Sequence, residues 1–439
     1  MNNDKHLVLI SVDAMVFEDL EYLRGFKSFS RLLDGASVIE RVTTIYPSVT
    51  HPVHASILTG APAGVTGIIN NLIFDRDSED LGAGKWFNSL SDIKCDTLLH
   101  AAKRAGLTTA SSTWPLTSGG GEYIDYLVPN IMNSDFIGFE DDILSAYRRL
   151  GAGENVIGII EKAAELYGHE NKHPEFDDFQ VFCAAEIIKK YKPNLTLVHP
   201  GDVDSKRHSS GVFGEPVNGA LERTAIWLGM IYDALDEAGI TDNTDIVLLS
   251  DHGQIGITRV ISPNVWLADN GYIRLDADGN IKDWDAYVRS TGASALVYLS
   301  RPDDTALGEG VYGLLSKMAN EGIYGFEKVF TADEAREKYG LFGDFSFVLE
   351  TDGYTSFGER VTRPAVQGYD LGDYRLSKAT HGHEPSKGPQ PPFIANGPSF
   401  KSGVVIPFGN LLDHAPTVAA ALGIKLNDCY GKPVYEILK

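Results

Sequence analysis

Asp245-Ile-Val-Leu-Leu-Ser-Asp251-His252-Gly253 is a short apolar run that stops abruptly at Asp-His-Gly. Two other stretches share this design: His6-Leu-Val-Leu-Ile-Ser-Val-Asp13, and Leu195-Thr-Leu-Val-His-Pro-Gly-Asp-Val-Asp204-Ser-Lys-Arg-His208. Unbroken apolar runs of this length read as strands buried on both faces of a parallel sheet. Residues just past the carboxyl ends of such strands gather at one edge, where open α/β sheets bind ligands. The expected fold class is therefore α/β, a doubly wound and mostly parallel sheet flanked by helices. A fourth element, Thr380-His381-Gly382-His383, adds imidazoles near the C-terminus.

Asp13, Asp204, His208, Asp251, His252 and His381 together supply carboxylates and imidazoles in equal number. Such a mixture suits zinc or a similar divalent ion. Two metal ions with three protein ligands each would keep open positions for a substrate. Ions ~4 Å apart can clamp both the attacking and the leaving oxygen of a phosphoryl displacement. Taken singly, an Asp after a strand reads as a cap or turn residue. The weight comes from four elements of one kind in one chain.

Outward from these runs lies Pro47-Ser-Val-Thr50-His-Pro-Val-His54-Ala-Ser-Ile-Leu-Thr59-Gly60. Pro52 fits the first turn of a helix through Ala55–Leu58, where proline is tolerated. Thr50 then lies at the helix N-terminus, where free amides and the dipole favour an anion. Its hydroxyl is a candidate nucleophile. By residue type alone it reads equally as an N-cap, with Ser48, Ser56 and Thr59 close by. Asn71 is a candidate hydrogen-bond donor to a phosphoryl oxygen. His51, His54, His199 and His383 are expected to be structural or to orient ligands. Trp114, Phe87 and Tyr374 are expected in the core.

A composition of 43% hydrophobic and 22% charged residues is that of a globular protein. The formal charge of −22 argues against a nucleic-acid polymer as partner, since that requires a basic footprint. A small phosphorylated substrate remains open if metals supply local positive charge. Cys95, Cys183 and Cys429 are widely spaced and form neither a disulfide framework nor a cysteine zinc site. No apolar stretch approaches the ~20 residues of a membrane span, and the N-terminal run is too short for a signal sequence. The expectation is a cytoplasmic protein without membrane contact.

Residues 1–255 and 375–439 read as one catalytic core, with 72–180 containing surface insertions. Residues 256–374 change character. Short strand-like runs (Ala295–Ser300, Phe345–Leu349) alternate with helical stretches (Asp304–Ala319, Thr331–Tyr339), and the segment is expected to form a smaller α+β lid lobe over the substrate. Further helices are expected near Phe26–Leu33, Asp141–Leu150, Asn155–Tyr167, Phe179–Tyr191, 217–238 and His414–Leu422, the last stopped by Gly423.

The order of motifs resembles the alkaline phosphatase superfamily, and within it the type I phosphodiesterase/nucleotide pyrophosphatase branch. The matching residues are Asp13, Pro47 to Gly60, Gly67-Ile-Ile-Asn-Asn71, Asp204-x-x-x-His208, Asp251-His252-Gly253 and His381-Gly382. Phe393-Ile-Ala-Asn-Gly-Pro398 and the stretch Ala415 to Gly423 resemble that branch too. The resemblance implies two zinc ions, one held by Asp204, His208 and His381 and the other by Asp13, Asp251 and His252. It implies Thr50 between them as nucleophile, a phospho-threonine intermediate, and Asn71 as phosphoryl-oxygen donor. Three positions depart from the branch. His51 stands where an aromatic residue is frequent, Thr66 replaces a frequent His before Gly67, and Arg207 replaces a frequent Gly before His208. His51 and Arg207 are therefore expected to contact a charged leaving group.

The expected activity is hydrolysis of phosphodiester or pyrophosphate bonds in small molecules such as nucleotides. The alternatives are a phosphonate hydrolase, which would need cations such as Lys85 or Arg207 for a carboxylate, a phosphomonoesterase, and a non-catalytic metal-binding scaffold. A sulfatase lacks its C/S-x-P-x-R motif here, and a cofactor-independent phosphoglycerate mutase would use serine.

Overall fold

The computed structural model describes residues 4–78, 80–139 and 142–439. Its centre is an eight-stranded sheet of β1 (His6–Ser11), β2 (Ser37–Thr43), β3 (Thr109–Ser112), β4 (Tyr126–Val128), β5 (Leu195–Val198), β6 (Thr244–Leu249), β7 (Phe393–Asn396) and β8 (Val405–Asn410). The spatial order is β8-β2-β7-β6-β1-β5-β3-β4. Only β7 runs antiparallel to its neighbours. The three apolar runs thus lie side by side as β6-β1-β5. Their register pairs Ser11 with Leu249 and Ile10 with Val198, so all three strands end at one edge.

Alternation along these strands divides the core in two, because successive side chains point to opposite faces. Leu7 and Leu9 join Leu195, Leu197, Val247 and Leu249 on one face, packed against the helices Thr50–Thr59 and His414–Leu422. Val8 and Ile10 join Val198, Ile246 and Leu248 on the other, packed against the helices Lys27–Leu33, Glu175–Tyr191 and Glu215–Ala238. Helices on both faces explain why these strands are apolar without interruption. A buried leucine here contributes roughly 1.5–3 kcal/mol of burial free energy.

Within 256–374, the strands Ala286–Ser290, Ser294–Leu299, Phe347–Thr351 and Phe326–Thr331 form a four-stranded antiparallel sheet. The helix Thr305–Glu321 backs it, started by Asp304, whose side chain accepts from Leu307 N–H, and ended by Gly322 at φ 70°. This lobe is fastened to the core through Glu350. Its carboxylate accepts from the Tyr46 hydroxyl at 2.8 Å and from Lys387 Nζ at 2.7 Å.

One expectation needs correction. Segment 72–180 is more than surface insertion: it supplies β3, β4 and the start of the helix Glu175–Tyr191. The strand Thr109-Ala-Ser-Ser112 is buried although mostly polar, because small residues fit between packed helices and their hydroxyls find partners such as Gln180 O and Thr117 Oγ1. The start of the helix expected at Asp141–Leu150 lies outside the described residues, and its described part runs Ile143–Arg149. No helix is long and apolar enough to cross a membrane among the described residues.

Candidate metal centre

The loops leaving β1, β5 and β6 are tied to one another. Asp13 N–H donates to Pro200 O at 2.9 Å, and Ala14 N–H donates to Asp251 Oδ1 at 3.1 Å. Ala14 itself sits at φ 56°, a left-handed conformation that costs a non-glycine residue on the order of 1 kcal/mol or more. That strain turns the chain so that Asp13 meets the β6 loop. Asp204 and His208 project from one side of the helix Asp202–Ser210, four residues apart, with His208 Nε2 3.1 Å from Asp204 Oδ2. His381 follows the short strand Ala379–Thr380, whose Ala379 carbonyl accepts from His208 Nδ1 at 2.7 Å. That bond leaves the His208 Nε2 lone pair directed at Asp204, the arrangement a ligating imidazole needs.

Two groups of possible ligand atoms result, Asp204-His208-His381 and Asp13-Asp251-His252, each with its atoms within 4.8 Å of one another. They adjoin: the rings of His252 and His381 stack at 4.1 Å. Asp13 Oδ1, Asp251 Oδ2 and His208 Nε2 are buried without a hydrogen-bond partner. Burial, then the negative charges of Asp251 and Asp204, push the Asp13 carboxyl well above its ordinary range. Burial would raise Asp204 too, but the imidazoles of His208, His381 and His252 outweigh it and hold that carboxyl low. Buried, unpartnered carboxylates facing imidazole nitrogens are unfavourable on their own and fit a pair of divalent cations.

A third group, His54-His199-Asp251, is also close. Both His54 nitrogens are occupied, Nδ1 with Thr50 O at 2.7 Å and Nε2 with Ser11 Oγ at 2.9 Å, so this ring anchors the helix Thr50–Thr59. His199 Nε2 lies 3.2 Å from Asp13 Oδ2, beside the ligand group.

Thr50 is the first residue of its helix. Val49 occupies the cap position and Thr50 makes no capping bond. The Thr50 hydroxyl instead lies 3.3 Å from His252 Nε2 and faces a cavity of about 380 Å³. His51 N–H donates to Asn71 Oδ1 at 2.9 Å, and Asn71 Nδ2 donates to the Tyr374 hydroxyl at 3.1 Å. Asn71 is thereby oriented from both ends. The His51 ring rests against Trp86 at 5.0 Å, Trp86 against Tyr374 at 6.0 Å, and Tyr374 stacks on His381 at 5.9 Å.

The structure corrects the expectation for Arg207. Its side chain is fully buried, paired with Asp19 at 2.5 Å, and donates through Nε to Ala14 O at 3.0 Å. It holds the strained Asp13 turn and does not line the cavity. His51 does line it, but burial holds its pKa at about 4, so it stands there as a neutral ring. Lys85 is exposed and is not a lining residue. Tyr374, expected in the core, lines the cavity, as does Trp86, which sequence reasoning left unassigned. A lone aromatic residue in a loop has no spacing signal that could have singled out either one. The segment expected as a lid contributes only Leu371 and Tyr374 to the lining. The opposite wall comes from Thr113 to Met132 and Asn171 to Gln180.

An α/β protein built on a mostly parallel sheet, with helices on both faces and paired Asp/His groups just past its central strands, is the class that fold and site define. The chain belongs to the type I phosphodiesterase / nucleotide pyrophosphatase family, whose model matches residues 7–339. It is 26% identical over 270 residues to human ectonucleotide pyrophosphatase/phosphodiesterase family member 1, covering 60% of this chain and 25% of that protein. It is 20% identical over 279 residues to the Xenopus laevis bis(5'-adenosyl)-triphosphatase enpp4, covering 62% of this chain and 52% of the relative. The chain thus spans only about a quarter of the length of the mammalian relatives it matches. In three dimensions it resembles an inactive murine ectonucleotide pyrophosphatase/phosphodiesterase 5 in complex with AMP, with a TM-score of 0.68 at 17% identity, covering 99% of this chain and all of that one. The human counterpart gives 0.66 at 18% identity over the same share.

Proposed function

We propose that this chain is a two-metal hydrolase of phosphodiester or pyrophosphate bonds in small nucleotide-like molecules, with Thr50 as its nucleophile. The observation that carries this reading is the position of the Thr50 hydroxyl. It stands at a helix N-terminus beside the junction of two Asp/His groups, 3.3 Å from His252 Nε2, and is not spent on capping. Family membership and the nucleotide-related names of the relatives support the substrate class.

In this reading Asp204, His208 and His381 hold one divalent ion, and Asp13, Asp251 and His252 the other. When bound, the ions supply positive charge for the oxygens of the reacting phosphoryl group. Thr50 passes its hydroxyl proton to solvent as Oγ1 forms a bond to phosphorus and the bond to the leaving oxygen breaks, giving a phospho-threonine; water then hydrolyses this ester and restores the hydroxyl. The helix dipole at Thr50 favours the anion held there. Asn71 Nδ2, kept in place by Tyr374 and the His51 amide, donates to a phosphoryl oxygen. The neutral His51 ring, with Trp86 and Tyr374, offers a flat surface to the organic part of the substrate.

The test is hydrolysis of a bis-aryl phosphate, an aryl phosphonate ester and an aryl monophosphate, with and without chelator and added zinc. Turnover of the diester that exceeds the monoester and vanishes with chelator is the expected result. Preference for the monoester, or indifference to chelator, overturns the reading.

A further inference from the structure

The cavity must accommodate an anionic substrate, yet no lysine or arginine lines it among the described residues. Three imidazoles outside the two proposed metal sites reach its surface: His51, His199 and His173. Burial holds His51 at about 4, so it is uncharged near neutrality, and His199 Nε2 is turned to Asp13 Oδ2 at 3.2 Å. His173 is built differently. Its Nδ1 lies 2.6 Å from Asp177 Oδ2, and the Asp177 side chain is fully buried. The other carboxylate oxygen accepts from Gly201 N–H at 2.6 Å and from Gln180 Nε2 at 2.7 Å. Gln180 in turn accepts from the Thr113 hydroxyl. The carboxylate is therefore immobile and fixes the ring.

Glycine at 201 makes room for that ring, since a Cβ there would stand 2.8 Å from His173 Cε1. The second ring nitrogen, Nε2, has no protein partner among the described residues, and the ring is a quarter exposed, on the cavity side. Burial alone would lower its basicity. The carboxylate of Asp177, helped by Asp202 and Asp204 across the gap, outweighs that and raises it. With Nδ1 tied to Asp177, Nε2 is the ring nitrogen left for a ligand, and the ring borders the cavity where substrate must lie.

We propose that the His173–Asp177 pair is an oxyanion subsite, in which His173 Nε2–H donates to a second phosphoryl group of the substrate beyond the one that reacts at Thr50. The inference rests on the hydrolase reading above and deepens it, because the preferred substrates become pyrophosphate-linked molecules. Simple diesters would leave the subsite unused.

Two measurements test it. In metal-loaded Thr50→Ala protein, calorimetry should find ADP bound about tenfold more tightly than AMP, as one charge-assisted hydrogen bond predicts. Adding His173→Gln should close that gap, and His173→Lys should restore part of it. In the active enzyme, His173→Gln should lower the ratio of kcat/KM for ATP over bis(p-nitrophenyl) phosphate about tenfold. Equal affinity for ADP and AMP without any change at His173 overturns the inference, as does an unchanged ratio in His173→Gln. An unchanged ratio with brisk diester hydrolysis leaves the hydrolase reading standing. A His173-dependent ADP gap in a protein whose wild type turns over no diester does the reverse.

Discussion

The two sides of the cavity are made of different material. On one side, the candidate ligands sit two or three residues past the ends of β1 and β6, on the helix that follows β5, or directly after the short strand Ala379–Thr380. These positions inherit the rigidity of a sheet buried on both faces. On the other side, His173, Asn171 and Met132 come from connections that reach the cavity only because β3, β4 and the helix Glu175–Tyr191 hold their ends. The segment 256–374, expected to cover the site, adds only Tyr374 and Leu371 to the lining. In the proposed reading chemistry is mounted on strands and selectivity on loops, the usual division in α/β proteins.

The comparison can be broken most decisively at Thr50. Thr50→Ala should lose at least about a thousandfold in kcat while retaining its metal content by elemental analysis. Near-normal turnover would remove the nucleophile from the strand-end side altogether. Asp251→Ala should lose both metal and turnover, because it takes away an oxygen of one ligand group and the acceptor of Ala14 N–H. Full metal occupancy in that variant would show that the β6 loop holds no ion.

Arg207→Ala addresses the support beneath the site. Removing one partner of a buried pair leaves Asp19 uncompensated and should cost about 3–5 kcal/mol of stability in denaturant titration. An unchanged midpoint would mean that the Asp13 turn holds itself. Tyr374→Phe removes one tether of Asn71 and should lower kcat about tenfold at nearly constant KM. A change in KM alone would move Tyr374 from the reacting side to the binding side.

The smallest effect concerns the join to the second lobe. Burial pushes Glu350 up to about 7, against the pull of Lys387. Its protonated form is favoured by folding, so its contribution to stability is full below the ordinary value of 4.5 and is lost as pH rises through about 7. Glu350→Gln cannot titrate. Its melting temperature should fall by a few degrees less than the wild type's between about pH 5 and pH 8. Parallel curves would show that the lobe junction does not respond to pH.

The three central strands were legible because a strand buried on both faces must be apolar throughout, and Asp or His at its end stands out against that run. The strands β2, β3, β4 and β8 were not recognised in advance. Thr109–Ser112 is polar although fully buried, and Val405–Asn410 is a largely exposed edge strand, so neither has the apolar run or clean alternation that would mark it. His173 was passed over for a related reason. Nothing in Asn171-Lys-His173-Pro-Glu-Phe-Asp177 separates a helix-entry histidine from any other until Gly201 and Gln180 are seen to fix its aspartate.

The sequence by itself determined the sheet class and marked Asp13, Asp204, His208, Asp251, His252 and His381 as candidate ligands, since these stand out in local runs and short spacings. Only the tertiary structure decided that Arg207 turns inward to Asp19, that Tyr374 leaves the core to face Asn71, and that His173, tied to Asp177, borders the cavity. Each depends on a partner tens to hundreds of residues away, or four away but fixed by such a partner. Local periodicity carries no record of contacts at that separation, because burial and hydrogen bonding there are set by packing between elements.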